Sequence, residues 1–438
     1  MEATDNSRTV IIDPSEIEFN DTYGDIQNIF GDFWQGYARS HPELTGAQLK
    51  AGDMISRCKT SILGVRVTVC PECKHVIYHP ISCNNRHCPN CQSTNQKKWT
   101  EIKKAEVIPG VPYYHYVQTI PHSLNAVVED NQKECYGILF SSVGAAIKEL
   151  SMDPKNLGAN PAITTVLHTW DQHLLPHFHL HCLISGAGLN ADGKLVTIQE
   201  VRSKNGLKPV SPETIPFFLP ERALAARVRT LYLDKLDAAY REGKLSFSDE
   251  NVELLDYANW HYFIQKLHKT EWVGHMEGSA VGEDHVIDYL GRYIYRTAIS
   301  NNRVKYDATA KSVTITYTKR SKKKGEKGEK DTFSIHPLQF IERFMRHILP
   351  KGFCRVRCYG ITSNACKAKN LTSVFSQEGF TYAPSALNNM SVIQMMQHFY
   401  PGFDCCPDCG CKLVHIGKVT PRTKPFEYRL PKLRGAAA

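Results

Sequence analysis

Apolar positions recur with helical spacing between about Ile17 and Ser56, where Ile26, Ile29, Phe30, Phe33 and Trp34 fall on one stripe. A helical lead-in is expected there. The period then shortens. Val65-Arg66-Val67-Thr68-Val69 alternates as a strand does, and Val76-Ile77-Tyr78-His79 repeats the pattern a few residues on. Tyr113 to Ile120 and Ala162 to Trp170 are further strand-like runs, separated by a helical segment from about Cys135 to Leu150. Pro220 to His268 is amphipathic with helical period, and Glu271 to His275 is a short strand. Glu283 to Arg296 reads as a helix whose acidic start suits the positive end of its dipole. Arg303–Asp307 and Ser312–Thr318 read as a hairpin, Leu338–Leu349 as a helix and Phe353–Gly360 as a basic strand. The tail after Lys418 is basic and contains prolines, and is expected to lack fixed order.

One strand carries more than a fold. In His177-Phe178-His179-Leu180-His181-Cys182-Leu183-Ile184, histidines alternate with apolar residues. Alternate side chains of a strand share a face, so His177, His179 and His181 lie together while Phe178, Leu180 and Cys182 point to a core. Asp171 to Pro176 is the turn that pairs this strand with Ala162–Trp170. His179 and His181 can chelate one ion from one face, and His168 on the partner strand is the natural third ligand. His173 and Gln172 sit in the turn and are held less well; His177 is farther along and suits a position bordering the substrate. Three protein ligands leave positions open for water or a phosphate oxygen.

Composition narrows the setting. The chain has 438 residues, 15 cysteines and a formal net charge of +9. That length implies two or three domains, and the basic excess leans toward a polyanion partner such as nucleic acid. The start, Met1–Asp13, is polar and acidic, unlike a secretory signal, and no apolar run is long enough to span a bilayer. A cytoplasmic location is expected, where cysteines serve as metal ligands or buried thiols rather than disulfides. Two Cys-x-x-Cys knuckles, Cys70/Cys73 and Cys88/Cys91, flank a short β segment and fit one tetrahedral, structural Zn²⁺ site. Cys83 and His87 could replace one of these or serve a second ion. The basic flanks Arg66, Arg86, Lys97, Lys98, Lys103 and Lys104 suit DNA contact. Cys405-Cys406-Pro407-Asp408-Cys409-Gly410-Cys411 resembles a single knuckle without an obvious second.

On the helix expected over Glu283–Arg296, Tyr289 and Tyr293 stand four apart, one turn from each other on one face. A phenol becomes a useful nucleophile when a metal-bound phosphate is set against it and its proton is removed. Arg292 and Arg296 add positive charge there, and Lys322, Lys323 and Lys324 in a lysine-rich loop are candidate phosphate contacts.

His-apolar-His combined with Tyr-x-x-x-Tyr resembles the HUH nucleases, and more closely the two-tyrosine rolling-circle transposases of the insertion sequence 91 family. The resemblance runs in family order through Ser82–Cys91, His168-Thr169-Trp170, His179–Leu183, Tyr289–Tyr293 with Arg296–Asn301, and Arg343–Phe353. Phe178 and Tyr295 depart from the usual proline and histidine. The resemblance implies an α+β chain: an HUH-type antiparallel sheet flanked by helices, an N-terminal zinc-binding β module and additional helical segments. It also implies Mg²⁺ or Mn²⁺ on His179, His181 and His168, attack by Tyr289 or Tyr293 on single-stranded DNA, and a 5′-phosphotyrosine intermediate. The expected division is a helical segment to residue 64, a zinc module over 65–105 and a nuclease domain over 106–310 with a helical insertion near 200–270. A basic part over 311–400 and a cysteine-containing tail follow. Three rivals share some of these features: a plasmid-type replication initiator, a histidine-triad nucleotide hydrolase, and a non-enzymatic zinc-dependent DNA-binding regulator.

Overall fold

The computed structural model describes residues 9–18, 24–206, 218–279, 291, 297–319 and 328–430. In chain order the elements begin with strand β1 (Thr9–Ile12), helices α1 (Asp25–Ser40) and α2 (Gly46–Ser56), then β2 (Val65–Val69), β3 (Val76–Pro80) and α3 (Ser93–Lys104). The middle of the chain forms β4 (Tyr113–Thr119), α4 (Asn125–Asp130), α5 (Gln132–Met152), β5 (Asn160–Trp170), β6 (Pro176–Leu189), β7 (Leu195–Thr197) and α6 (Ile198–Lys204). Next come α7 (Glu221–Arg241), α8 (Tyr257–Lys269), β8 (Gly274–Ser279), β9 (Val304–Asp307), β10 (Ser312–Thr318) and β11 (Lys330–Ile335). The last elements are α9 (Pro337–Arg346), β12 (Val356–Gly360), α10 (Lys367–Gln377), α11 (Val392–Phe399), β13 (Val414–Val419) and β14 (Phe426–Arg429). Among the described residues, no helix is long and apolar enough to cross a membrane.

The chain divides into two compact units, and neither is a continuous stretch. One joins Met1–Lys97, Ile299–Met345 and Asn389–Ala438; the other joins Lys98–Ala298 and Arg346–Asn388.

In the second unit a wholly antiparallel sheet runs in the order β12-β5-β6-β4-β8, with β7 added to β6. Both faces of its centre are covered, which is why β5 and β6 read as nearly unbroken buried runs. On one face, Phe178, Leu180, Cys182 and Ile184 of β6 pack with Tyr136, Leu139, Phe140 and Val143 of α5, and with Val228, Tyr232 and Leu236 of α7 in the same core. The expectation that Phe178, Leu180 and Cys182 point into a core holds. On the other face, Tyr113, Val166 and Leu183 pack with Leu371, Val374 and Phe375 of α10. That second apolar core covers only part of its face. Farther along the same strands, the same face carries histidines.

The β5–β6 turn is fixed by a buried histidine. The His347 ring Nε2 lies 3.1 Å from the Leu174 carbonyl, an acceptor only, so Nε2–H donates. The other ring nitrogen, Nδ1, is 3.1 Å from the Thr169 hydroxyl and accepts from it. Asp171 Oδ1 accepts from the backbone N–H groups of His173 and Leu175, which closes the turn.

In the first unit, Ile26, Ile29, Phe30 and Trp34 of α1 are buried as the apolar stripe predicts. Phe30 meets Phe344 of α9 edge-on at 5.3 Å. A Cβ on Gly52 of α2 would come within 2.3 Å of the Trp34 ring, so only glycine allows the two helices this approach. Three sheets complete the unit: β13-β2-β3, β11-β10-β9 and the pair β1-β14. The last pair overturns one expectation. The tail after Lys418 is not without order: Phe426–Arg429 pairs with Ile12–Thr9 residue for residue, because alternation in Phe426-Glu427-Tyr428-Arg429 gives the buried edge of β1 a partner.

Burial holds the His347 imidazole down to about 4, well below its ordinary 6.5. Between those values the unfolded chain carries the extra proton, so stability is flat above pH 6.5 and falls as pH drops toward 4. His347 should account for a loss on the order of 3 kcal/mol across that window. Thermal melts in chelator at pH 7 and pH 4.5 should show a clearly smaller pH-driven drop for His347→Gln, whose amide can still donate to Leu174. An equal drop in variant and wild type would exclude His347 as the source.

Candidate metal and DNA-cleavage site

Cysteines form two separate groups in the first unit. Cys58, Cys83, Cys88 and Cys91 bring their sulfurs within 4.8 Å of one another. Cys83 and Cys91 are 3.7 Å apart, and the Cys83 backbone N–H points at the Cys58 sulfur at 3.5 Å. The Asn85 N–H donates to the Cys83 sulfur at 3.5 Å. Donors aimed at sulfur favour thiolates, and four thiolates at this spacing suit a closed tetrahedral zinc site.

This grouping corrects the ligand set expected from spacing. Cys88 and Cys91 are not joined by Cys70 and Cys73, which lie with Cys406 and Cys409 instead. Cys83 belongs to the first group and His87 to neither; the His87 Nε2 accepts from the Arg86 side chain. Cys58 was not foreseen. It stands alone in sequence at the end of a helical stretch, with no Cys-x-x-Cys partner, and only the fold brings it back to Cys83. Lys103 is a second correction. Rather than facing DNA it is buried, paired with Glu106 and 3.4 Å from the Cys358 sulfur, while Lys367 holds the other Glu106 oxygen at 2.7 Å.

The histidines of the second unit converge. Register sets His168 of β5 directly opposite His179 of β6, and Val166 opposite His181. The ring centroids of His168 lie 4.5 Å from His181 and 5.4 Å from His179, and His179 and His181 are 4.9 Å apart. One nitrogen from each of the three lies within 4.8 Å of the others, the spacing that a shared cation needs. All three rings are buried to 9 % exposure or less.

Hydrogen bonds aim two of these rings. His179 Nδ1 is 2.9 Å from the His177 carbonyl, so Nδ1–H donates and the Nε2 lone pair is left for a metal. His181 Nδ1 is 2.9 Å from Nε2 of His115 on β4. With Nδ1–H of His181 as donor, its Nε2 is likewise available. Burial, with His177 adding to it, holds His179 down to about 4; burial, with His275 and His179 adding to it, holds His115 down to about 3. Near neutral pH these rings are uncharged, the form that binds a cation. His168 stacks on Trp170 at 4.8 Å, which fixes its plane.

His177 stays half-buried beside His122, 5.4 Å between rings, and contributes its carbonyl; His173 sits in the turn near Asp171. His115 escaped the sequence reading because it is a single histidine in an aromatic strand, Tyr113-Tyr114-His115-Tyr116. Its partner appears only when β4 pairs with β6. Tyr289, Tyr293, Arg292, Arg296, Lys322, Lys323 and Lys324 lie outside the described residues. Gly291, between the two tyrosines, is helical.

Known proteins place this architecture. A family model described as "Putative transposase" matches residues 162–370, the stretch that holds the histidine hairpin. A second, described as "Transposase zinc-binding domain", matches residues 29–120, which contain Cys58, Cys83, Cys88 and Cys91. The "Putative transposase y4qJ" of Sinorhizobium fredii is 34% identical over 347 residues, covering 79% of this chain and 82% of the relative. The "Transposase for insertion sequence element IS801" of Pseudomonas savastanoi pv. phaseolicola is 23% identical over 367 residues, covering 83% of this chain and 82% of the relative. No solved structure gives a significant match. An antiparallel α+β sheet, a zinc-binding cysteine module and these relatives agree: the chain belongs to the transposases of the insertion sequence 91 family.

Proposed function

We propose that this transposase nicks and rejoins single-stranded DNA through a 5′-phosphotyrosine, with Tyr289 and Tyr293 as nucleophiles and His168, His179 and His181 as ligands of Mg²⁺ or Mn²⁺. The observation that carries the reading is the meeting of three buried imidazoles on the β5–β6 hairpin, two of them oriented by hydrogen bonds at Nδ1. Three ligands leave the remaining positions open for phosphate oxygens, where a bound cation supplies charge stabilisation and polarises the scissile phosphate. Membership of a transposase family sets aside the nucleotide-hydrolase and non-enzymatic readings.

The reaction balances without a nucleotide. The phenol oxygen of one tyrosine attacks phosphorus, the bond to the 3′ oxygen breaks, and that oxygen leaves as a 3′-hydroxyl once it takes a proton. The phosphodiester energy is kept in the phosphotyrosine. A 3′-hydroxyl attacking that linkage restores a phosphodiester and frees the tyrosine. A second tyrosine lets one chain hold two strand ends. Arg292 and Arg296 lie on either side of Tyr293 in sequence and are the candidate phosphate contacts, with Lys322, Lys323 and Lys324 as further ones.

With a single-stranded oligonucleotide from an element end and Mn²⁺, a covalent protein–DNA adduct should form, and mass spectrometry should place it on Tyr289 or Tyr293. The Tyr289→Phe/Tyr293→Phe double variant should form none; an adduct in that variant would sink the tyrosine assignment. Single His179→Ala or His181→Ala changes should lower the nicking rate roughly 100-fold or more, since a metal ion contributes several kcal/mol at such a centre. Unchanged nicking in both, or in chelator, would remove the metal from the reading. His115 acts through His181 and is a positioning residue. His115→Ala should weaken Mn²⁺ activation about 10-fold or more, with much of the rate recovered at saturating Mn²⁺. A rate loss that no metal concentration restores would assign His115 a role in packing only.

A further inference from the structure

Cys70, Cys73, Cys406 and Cys409 come from opposite ends of the chain, yet their sulfurs lie within 4.8 Å of one another. The separations are 3.4 Å for Cys70–Cys409, 3.5 Å for Cys73–Cys406 and 3.7 Å for Cys73–Cys409. Disulfide sulfurs would be about 2.05 Å apart. Four sulfurs at about 2.3 Å from a tetrahedral zinc stand roughly 3.8 Å apart, close to what is found.

The two halves are built alike. In the first, Cys70-Pro71-Glu72-Cys73-Lys74-His75, the Cys70 N–H donates to the His75 carbonyl at 2.9 Å and the Lys74 N–H to the Cys70 carbonyl at 3.0 Å. In the second, Cys406-Pro407-Asp408-Cys409-Gly410-Cys411, the Cys406 N–H donates to the Cys411 carbonyl at 2.8 Å and the Gly410 N–H to the Cys406 carbonyl at 2.9 Å. The fifth residue of each has a positive φ, 60° at Lys74 and 75° at Gly410. Lys74 takes this conformation despite the cost to a residue with a Cβ. Such a turn points both cysteines of a Cys-x-x-Cys the same way. His75 and Asp408, one from each turn, meet at 2.6 Å.

Strand pairing brings the halves face to face. Strand β2 ends at Val69, next to Cys70, and β13 begins at Val414, three residues past Cys411; Val69 and Val414 are register partners. The C-terminal turn therefore meets the N-terminal one at the same end of the β13-β2-β3 sheet.

We propose that Cys70, Cys73, Cys406 and Cys409 form a second structural zinc centre, distinct from Cys58/Cys83/Cys88/Cys91, that staples the C-terminal segment to the N-terminal module. Its ligands close a loop of more than 300 residues. Closing so long a loop is entropically costly for the unliganded chain, so the ion stabilises the folded arrangement. The two knuckles found by spacing thus belong to two different ions: Cys88/Cys91 is completed by nearby Cys83 and by Cys58, and Cys70/Cys73 by cysteines from the far end of the chain.

The test counts metal on the full chain, reduced and carrying His179→Ala/His181→Ala so that the imidazole cluster takes up no zinc. Native mass spectrometry should give two zinc ions per chain; one ion would overturn the proposal. Iodoacetamide mapping of the same zinc-loaded chain keeps the result independent of whether a cysteine variant folds. Cys70, Cys73, Cys406 and Cys409 should resist alkylation together and become reactive together when a chelator is added. Alkylation of Cys406 and Cys409 while both ions stay bound would overturn it. Where Cys406→Ser/Cys409→Ser folds, it should hold one zinc, and adding Cys70→Ser/Cys73→Ser should remove no further ion. Two ions in the double variant, or a further ion lost on adding the second pair, would assign the two knuckles to different sites.

Discussion

The antiparallel pairing of β5 with β6 is the constraint on which the site depends. Register places His168 opposite His179, and the neighbouring step places His181 within reach of both. Slipping β6 against β5 by one residue would send His179 and His181 to the face opposite His168. The slip is opposed from both sides, because Phe178, Leu180 and Cys182 are locked into the core with α5 while Val166 and Leu183 pack with α10. At the turn, His347 and Asp171 hold the backbone that joins the two strands. The geometry of the histidine cluster thus rests on ordinary apolar burial.

Burial also sets the chemistry. A histidine in water is partly protonated near neutral pH and competes poorly for a cation; one inside a sheet keeps its lone pair. His115 and His177 then use their own polar groups to decide which nitrogen of His181 and His179 carries the proton. The four rings and one carbonyl are packed together, and His115 and the His177 carbonyl determine how His181 and His179 present their other ring nitrogens.

The cysteine-rich unit follows a different logic. Its sheets are short, two to three strands each, and small β modules bury comparatively little apolar surface. The cysteine clusters add cohesion by joining separate stretches of chain, Cys58 to Cys83, Cys88 and Cys91, and Cys406 and Cys409 to Cys70 and Cys73.

Much of this was readable in the residues. Two-residue alternation located β2, β3, β4, β5 and β6, helical periodicity located α1, α5, α7 and α9, and His-x-His beside a strand carrying His168 marked the three imidazoles that meet. These features are local: a period of two or 3.6 residues is set by backbone geometry, and a face follows from it directly. Three features were decided by tertiary structure. His115 gains meaning only when β4 lies beside β6. Cys58 joins Cys83, Cys88 and Cys91, and Cys406 and Cys409 join Cys70 and Cys73, across separations that no spacing rule spans. The C-terminal strand finds order because β1 offers it an edge. Sequence by itself determined which residues could do chemistry and which face each would occupy. Which of them meet was left to long-range strand pairing, because the free energy that chooses partners comes from burying surfaces contributed by distant parts of the chain.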